Sequence, residues 1–213
     1  MGKQGLEASI RAFREGRAVV LMDDPDRENE GDIIIPADRI TTSLMALMIR
    51  ECSGIVCLCI DQELALQLEL PPMAARNTNH HGTAFTVSIE AREGISTGVS
   101  AYDRVVTINA ALKPGARPED LARPGHVFPL VAHPQGLRGR RGHTEGAVTL
   151  ARLAGYRPAA VLCELMQPDG TMMRGQELAR FAAMHDFPLL TIRDLVDELK
   201  LGPLLTLPRG RLA

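Results

Sequence analysis

The stretch DDPDRENEGD at residues 23–32 places many chemical groups between two apolar runs. Six of its ten residues are acidic, and Arg27 is the single base among them. Hard divalent cations such as Mg²⁺ take a few carboxylate ligands and keep several waters, so Glu28 or Glu30 could bind one. Arg27 would instead hold a substrate anion or orient a carboxylate. The alternative interpretation is a solvated turn between two strands.

A second charged segment, HPQGLRGRRG at residues 133–142, precedes a predicted helix. Arg138, Arg140 and Arg141 lie among glycines there. Free N–H groups at a helix N-terminus and guanidinium groups both bind anions, which favours a phosphate site. A solvated basic loop explains the same residues. The Walker lysine motif is absent, so the sequence does not indicate a nucleoside triphosphate.

Several other polar residues could bind a metal or transfer a proton. His143 opens the helix after the basic loop, and the alternative interpretation is a structural histidine. Glu145 follows and would also favour the helix dipole, whereas Thr144 adds a hydroxyl to the phosphate site. Glu164 lies in the apolar run VLCELM, where a carboxylate is costly unless it is paired, protonated or metal-bound. His126 follows a Pro-Gly turn and is either a general acid or base or a turn histidine bound to backbone.

Composition excludes several classes of protein. The 213 residues are 45% hydrophobic and carry a net charge of −2, which is typical of a globular domain. Because basic residues are not in excess and aromatics are only 3%, we expect no nucleic-acid partner. No apolar run reaches the roughly 20 residues of a membrane helix, and the N-terminus lacks a secretory signal. The cysteines form no CxxC pair, so we expect buried reduced thiols in a cytoplasmic protein.

Predicted strands and helices alternate along the chain. This order indicates an α/β (α+β type) fold, with a mixed β-sheet flanked by helices in three layers. The two strands at 18–22 and 32–36 precede any helical crossover, which argues against a purely parallel sheet. Residues 113–125 are predicted to be a surface connection, and the tail 201–213 to be loosely held. The remaining strands are predicted at 54–60, 83–90, 126–132, 159–166 and 188–192. Helices are predicted at 6–16, 41–50, 61–68, after the cap signal Ser100-x-x-Asp103, and at 143–155, 175–186 and 193–200.

Six motifs occur in one order along the chain: DDPDRENEGD, SGIVCLCI, STGVSAYDR, RPGHVFPL, RRGHTE and VLCEL. In this order they closely resemble the 3,4-dihydroxy-2-butanone-4-phosphate synthases of riboflavin biosynthesis, over roughly residues 6–200. The motifs DRENEGD, GHVFPL and GHTE are long and unusual, which makes their joint match specific. The resemblance implies that residues 1–213 form a single synthase domain, without the GTP cyclohydrolase II domain that many relatives carry.

The resemblance also implies an activity. Members of this family convert D-ribulose 5-phosphate into L-3,4-dihydroxy-2-butanone 4-phosphate and formate. They are Mg²⁺-dependent lyases in which Mn²⁺ can substitute, and we expect two ions per subunit. They are homodimers with active sites near the subunit interface. Carried over onto this sequence, Glu28 and His143 would hold the metal ions, and His126 and Glu164 would be needed for catalysis.

Substrate contacts are carried over in the same way. Arg27 and Asp32 would contact the sugar, and the loop before GHTE would bind its phosphate. Asp23, Asp24 and Asp26 are expected only to solvate the acidic loop or tune its field. The predicted substrate-binding residues are Arg27, Glu28, Asp32, Arg140, Arg141, Gly142, His143, Thr144 and Glu164.

One residue departs from the family pattern. Arg141 stands where these synthases commonly have glycine, as RRGHTE replaces RGGHTE. If that position needs a positive φ, arginine costs about 1 kcal/mol there. If it does not, Arg141 adds charge to the phosphate site.

Two other functions fit these residue types. One is a sugar-phosphate-binding protein without catalysis, which the presence of Glu28, His126, His143 and Glu164 disfavours. The other is metal-dependent phosphoester hydrolysis, which acids, a histidine and a phosphate loop would also support.

Overall fold

A seven-stranded sheet forms the centre of the protein. The structure is a computed structural model that describes residues 3–202. Its strands are β1 Val19–Met22, β2 Gly31–Pro36, β3 Cys57–Ile60, β4 Ile89–Ala91, β5 Leu121–Val131, β6 Ala159–Glu164 and β7 Leu189–Thr191. Its α-helices are α1 Lys3–Arg14, α2 Thr42–Glu51, α3 Gln62–Gln67, α4 Ala101–Leu112, α5 His143–Ala154, α6 Gln176–Met184 and α7 Ile192–Glu198.

The sheet is mixed, as the early pair of strands predicts. Its strand order is β4-β5-β3-β6-β2-β1-β7. Strands β1 and β2 form an antiparallel hairpin, and β2 and β3 both pair antiparallel with β6. Parallel pairing occurs between β3 and β5 and between β1 and β7. The centre of the sheet is therefore built from segments far apart in sequence.

Alternation along the strands creates two hydrophobic cores. In β2, Ile33 and Ile35 face one core, while Ile34 faces the other. The first core is covered by α2, α3, α4 and α6, and the second by α1, α5 and α7. A sheet covered by helices on both faces is the three-layer arrangement expected from the sequence. The same alternation decides which polar residues meet α5.

Side-chain caps set where the helices begin. Thr41 Oγ1 accepts a hydrogen bond from Leu44 N at 3.2 Å, which fixes the start of α2. Ser100 Oγ accepts one from Asp103 N at 3.0 Å, which confirms the cap signal before α4. Such caps satisfy backbone donors that have no partner within the helix.

The region around β5 differs most from the sequence prediction. Strand β5 begins at Leu121 rather than at 126, so part of the predicted surface connection lies in the sheet. Conversely, the strand predicted at 83–90 is reduced to Ile89–Ala91, with isolated bridges from Phe85 to Leu130 and from Thr86 to Pro72. Pro129 lies in this part of β5 and has no N–H for a regular ladder, so the pairing is irregular.

The four cysteines are buried and unpaired, as predicted. Most of the tail predicted to be loosely held, residues 203–213, lies outside the described residues.

Candidate metal and catalytic site

The β1–β2 hairpin brings the acidic stretch to one edge of the sheet. The register pairs Met22 with Gly31, so residues 23–30 form the connecting loop. Asp23 N donates to Glu30 O at 2.9 Å and closes this loop. In the neighbouring pair of strands, Asp32 lies directly opposite Glu164. Two predicted site residues from distant motifs are thus cross-strand neighbours.

The start of α5 adds a histidine to these acids. The helix begins at His143 after Gly142, which has an extended backbone. His143 and Thr144 are both buried. His143 Nδ1 lies 3.5 Å from Glu28 Oε2 and 3.7 Å from Asp32 Oδ2. The DRENEGD and GHTE motifs therefore meet, as their predicted roles require.

Asp23 also belongs to this cluster, although the sequence suggests only that it solvates the loop or tunes its field. It is 3% exposed, and Asp23, Glu28 and His143 each offer a ligand atom within 4.8 Å of the others. The alternation of residues along β1 could have predicted this position for Asp23. Val19 and Leu21 face the core under α5, so Asp23 continues the same row.

Buried polar atoms of this cluster that lack a hydrogen-bond partner are available to bind a divalent cation. Within residues 3–202, the buried atoms without a hydrogen-bond partner include Asp23 Oδ1, Asp32 Oδ1 and His143 Nε2. Buried polar atoms are rarely left without a partner, and carboxylate oxygens are the ligands that Mg²⁺ prefers. The donor set at this edge of the sheet therefore fits a metal ion.

Arg27 bridges two of the acids. Its Nη1 donates to Asp23 Oδ2 at 2.7 Å and lies 2.8 Å from Glu28 Oε2. Burial acts to lower the Arg27 pKa, but the charges and hydrogen bonds of Asp23 and Glu28 outweigh it and raise the pKa. Arg27 thus orients carboxylates, one of the two roles expected from the sequence. Its predicted contact with substrate stays a prediction.

Burial and charge move the pKa values of this cluster apart. Burial acts to raise the Glu28 pKa, but the hydrogen bond from His143 and the charge of Arg27 lower it to about 2. Burial alone would lower the His143 pKa, but Asp32 and Glu28 raise it to about 9. Burial raises the pKa of Asp32 to about 7, although His143 opposes this. Asp32 and Glu28 therefore favour the protonated form of His143, which lies between their carboxyl groups.

Glu164 provides a carboxyl group with a different environment. It lies at the end of β6, half-buried, beside Asp32. Burial raises its pKa, and the hydrogen bond to Ser53 only partly offsets this. A carboxyl group whose pKa moves towards neutrality is suited to proton transfer.

Arg140 is held by protein groups on three sides. Its Nη1 donates to the buried Glu145 Oε2 at 2.7 Å, and its Nη2 donates to Thr83 Oγ1 at 2.9 Å. Its Nε donates to the backbone carbonyl of His81 at 3.1 Å. This arginine ties the loop around residues 81–83 to the start of α5. The sequence places Glu145 beside His143 in the first turn of α5, but it does not predict this ion pair.

Arg141 is accommodated without backbone strain. Arg141 does not have a positive φ, so its backbone conformation does not require glycine. Its Nη2 donates to the backbone carbonyl of Gly202 at 2.5 Å. The structure therefore excludes backbone strain at Arg141. The role of Arg141 in adding charge to the phosphate site stays a prediction.

His126 lies apart from the acidic cluster but on the same face of the sheet. Phe128 pairs with Cys57, which pairs with Leu162, so the row two residues further on carries His126 and Glu164. Two strand spacings separate them, or about 10 Å. His126 Nδ1 lies 2.8 Å from Glu90 Oε2, a partner that the sequence did not reveal.

The fold and this site define an α/β protein with a candidate divalent-metal centre at one edge of a mixed sheet. Among residues 3–202, no helix is long and apolar enough to cross a membrane.

Comparison with known proteins gives a consistent family. The family described as 3,4-dihydroxy-2-butanone 4-phosphate synthase matches residues 7–198. A relative of that name from Shewanella piezotolerans is 59% identical over 191 residues, covering 90% of each chain. One from Chromobacterium violaceum is 57% identical over 198 residues, covering 93% of this chain and 94% of the relative. The chain belongs to the 3,4-dihydroxy-2-butanone 4-phosphate synthase family.

A solved structure extends the similarity to three dimensions. It is a 3,4-dihydroxy-2-butanone 4-phosphate synthase in complex with two magnesium ions, and it superposes with a TM-score of 0.88. Its sequence is 42% identical, and the match covers 92% of this chain and 96% of that one. The mixed-sheet α/β fold predicted from the sequence is thereby confirmed.

Proposed function

We propose that this protein converts D-ribulose 5-phosphate into L-3,4-dihydroxy-2-butanone 4-phosphate and formate, as a lyase of riboflavin biosynthesis. The observation that carries the proposal is the cluster of buried Asp23, half-buried Glu28 and buried His143 beside Asp32 and Glu164. Family membership supports the same reaction.

Mg²⁺ is the proposed cofactor, and Mn²⁺ the proposed substitute. Glu28 and His143 would hold the metal, and the unpartnered Asp23 Oδ1 makes Asp23 a further ligand. We propose two ions per subunit, as the related magnesium complex supports. The bound metal would supply a Lewis acid that makes substrate hydroxyls more acidic and stabilises negative charge on substrate oxygens.

Proton transfer is assigned to Glu164 and His126. Enolisation of the sugar requires a base at C1, and the later loss of a hydroxyl and release of C4 as formate need further proton transfers. The raised pKa of Glu164 makes this group a stronger base than an exposed carboxylate, so it takes up a proton from substrate more readily. Both side chains lie on the same face of the sheet, about 10 Å apart, where a substrate between them could reach each.

The start of α5 is the proposed binding site for the substrate phosphate. Backbone N–H groups of Gly142, His143 and Thr144 at the N-terminus of a twelve-residue helix favour an anion. Arg140 and Arg141 add positive charge at this end, although Arg140 already pairs with Glu145. Arg27 and Asp32 are the proposed contacts of the sugar. Anchoring the phosphate positions the reacting carbons, which lowers the entropic part of the barrier.

We further propose that residues 1–213 form one synthase domain that acts as a cytoplasmic homodimer. Neither a nucleic acid nor a membrane is a proposed partner.

The direct test is incubation with D-ribulose 5-phosphate and Mg²⁺, with formate and inorganic phosphate both measured. Formate that disappears on adding EDTA supports the proposal. Inorganic phosphate in place of formate would indicate phosphoester hydrolysis. Binding of the sugar phosphate with neither product would indicate a non-catalytic binding protein.

A further inference from the structure

We infer that His81 is a further metal ligand of this site, and that its imidazole makes the site more selective for Mn²⁺ over Mg²⁺. The inference deepens the proposed function, because it rests on the metal dependence proposed there. His81 Nδ1 lies 3.8 Å from Glu28 Oε1, and the two side chains are 33% and 23% exposed. His81 therefore brings a ring nitrogen to the open side of a proposed metal ligand.

The carboxylate of Glu28 presents its two oxygens to different partners. Oε2 lies 2.8 Å from Arg27 Nη1 and 3.5 Å from His143 Nδ1. Oε1 instead faces His81. A carboxylate can bind a cation through one oxygen or through both. Of the two ions proposed for each subunit, the second thus has a place beside Oε1, where His81 would be its nitrogen ligand.

The separation of His81 from Glu28 suits two ligands of one ion. At 3.8 Å the two atoms are too far apart for a hydrogen bond, which requires about 3.2 Å or less. Two ligands that each lie about 2.1 Å from an ion are roughly 3–4 Å apart. The gap therefore matches a shared cation better than a direct contact between the two side chains.

Arg140 ties the loop that carries His81 to the first turn of α5. Its Nε donates to the carbonyl of His81 at 3.1 Å, and its Nη2 donates to Thr83 Oγ1 at 2.9 Å. Its Nη1 donates to Glu145 Oε2 at 2.7 Å, and Glu145 follows His143 by two residues in α5. One arginine thus fixes the backbone at both histidines that would bind metal.

The turn around His81 sets it apart from its neighbour His80. His81 N donates to Asn79 Oδ1 at 2.9 Å, and Gly82 N donates to the Asn79 carbonyl at 3.1 Å. Gly82 has a φ of +64°, which glycine adopts without strain. The His80 ring meets the His81 ring edge-on at 4.8 Å, and His80 is exposed. His80 is therefore a natural control for His81.

A second imidazole changes which cation the site prefers. Mg²⁺ prefers oxygen ligands and gives up its waters reluctantly. Imidazole nitrogen binds transition-metal ions better than it binds Mg²⁺. Loss of His81 should therefore weaken Mn²⁺ binding more than Mg²⁺ binding.

The test compares His81→Gln with wild type, and His80→Gln is the matched control. Titration calorimetry without substrate measures the Kd of Mn²⁺ and of Mg²⁺. We expect the Kd of Mn²⁺ to rise by about tenfold or more in His81→Gln, since loss of even a group that supports a ligand costs about 10–100-fold. The Kd of Mg²⁺ should rise by less than about threefold. His80→Gln should match wild type for both ions within about twofold.

A second readout detects the bond to the ring nitrogen directly. Cadmium-113 is a diamagnetic ion that also binds imidazole, and its coupling to nitrogen-15 marks each coordinated histidine in the NMR spectrum. Wild type labelled with nitrogen-15 histidine should show this coupling at His81 and His143. The coupling at His81 should be absent from His81→Gln and unchanged in His80→Gln.

The inference is overturned if His81 shows no cadmium coupling in wild type, or if His81→Gln keeps the wild-type ratio of Mn²⁺ to Mg²⁺ affinity. Because the coupling is read in wild type, it decides the matter even where His81→Gln is less stable. Neither measurement requires formate production. A wild type that shows the coupling but makes no formate would refute the proposed function and still support His81 as a ligand.

Discussion

The surroundings of the individual site residues shift their pKa values in different directions. Glu28 is stabilised as a carboxylate, with a pKa of about 2, while Asp32 is driven by burial to a pKa of about 7. His143 lies between them as an imidazolium with a pKa of about 9. Glu164, one strand away from Asp32, has a raised pKa for the same reason of burial. Pairs of groups with separated pKa values mark acid, base and ligand roles.

The first prediction concerns Glu164. Replacing it with glutamine keeps the side-chain volume but removes the group assigned to proton transfer. Formate production by Glu164→Gln should fall by about 10²-fold or more, with Mg²⁺ affinity and melting temperature close to wild type. Glu198→Gln, an exposed acid on α7, serves as the control and should keep full activity. Near-normal turnover of Glu164→Gln would remove Glu164 from the mechanism.

The second prediction concerns the proton on His143. Because a histidine must be neutral to bind a metal, Mg²⁺ binding through His143 has to displace the proton that this residue holds at pH 7. Apparent Mg²⁺ affinity should therefore rise by about tenfold per pH unit between pH 7.5 and 8.5 and level off above the pKa of about 9.

Titration calorimetry in buffers of different ionisation enthalpy measures the number of protons released. His185→Gln, which alters a ring packed against Phe181 and Phe187, should leave this release unchanged. An affinity that is flat across this pH range would show that His143 is not a ligand.

At the scale of elements, the β1–β2 hairpin and the start of α5 do most to build the site. The sequence predicted both, because apolar runs flank the acidic stretch and glycines precede GHTE. Strand alternation would also have placed Asp23 on the face that meets α5. The pairing of Arg140 with Glu145 and Thr83, and of His126 with Glu90, could not be predicted. Those contacts depend on how loops far apart in sequence pack, which local patterns do not encode.

The third prediction tests the packing of α6 against the hairpin. A Cβ added at Gly31 would lie 2.8 Å from Leu178 Cδ2 and 2.9 Å from Leu178 Cδ1. Gly31→Ala should therefore lower the free energy of unfolding by about 1–3 kcal/mol through overpacking, as measured by urea denaturation. Among residues 3–202, no atom lies within 4 Å of a Cβ added at Gly202, so Gly202→Ala should change this free energy by less than about 0.5 kcal/mol. Equal stabilities for the two variants would contradict the close packing of α6 on Gly31.

At the scale of the whole molecule, the three-layer fold brings four motifs that are far apart in sequence to one end of the strands. These motifs are DDPDRENEGD, RPGHVFPL, RRGHTE and VLCEL. The order of elements predicted this architecture, since two strands before the first crossover already require a mixed sheet. The length of β5 was underestimated because its prolines and charges resemble a loop. Its pairing with β3 and β4 is what gives these residues a strand conformation. Tertiary context there outweighs local propensity.

The fourth prediction uses the stability of the whole molecule as a report on the metal site. A ligand that binds only the folded state stabilises it, by about 2.7 kcal/mol when present at 100 times its Kd. Mg²⁺ at that concentration should raise the free energy of unfolding of wild type by this amount. Glu28→Gln, which loses one ligand, should gain much less at the same Mg²⁺ concentration. Equal gains in both proteins would place the metal elsewhere.

We propose that this site removes one carbon from a sugar phosphate. The most direct measurement is the fate of carbon-13 placed at C4 of D-ribulose 5-phosphate, followed by NMR in the presence of Mg²⁺. We predict labelled formate and an unlabelled four-carbon phosphate, with inorganic phosphate at background and no reaction after EDTA. Label retained in a five-carbon sugar, together with released inorganic phosphate, would contradict the account.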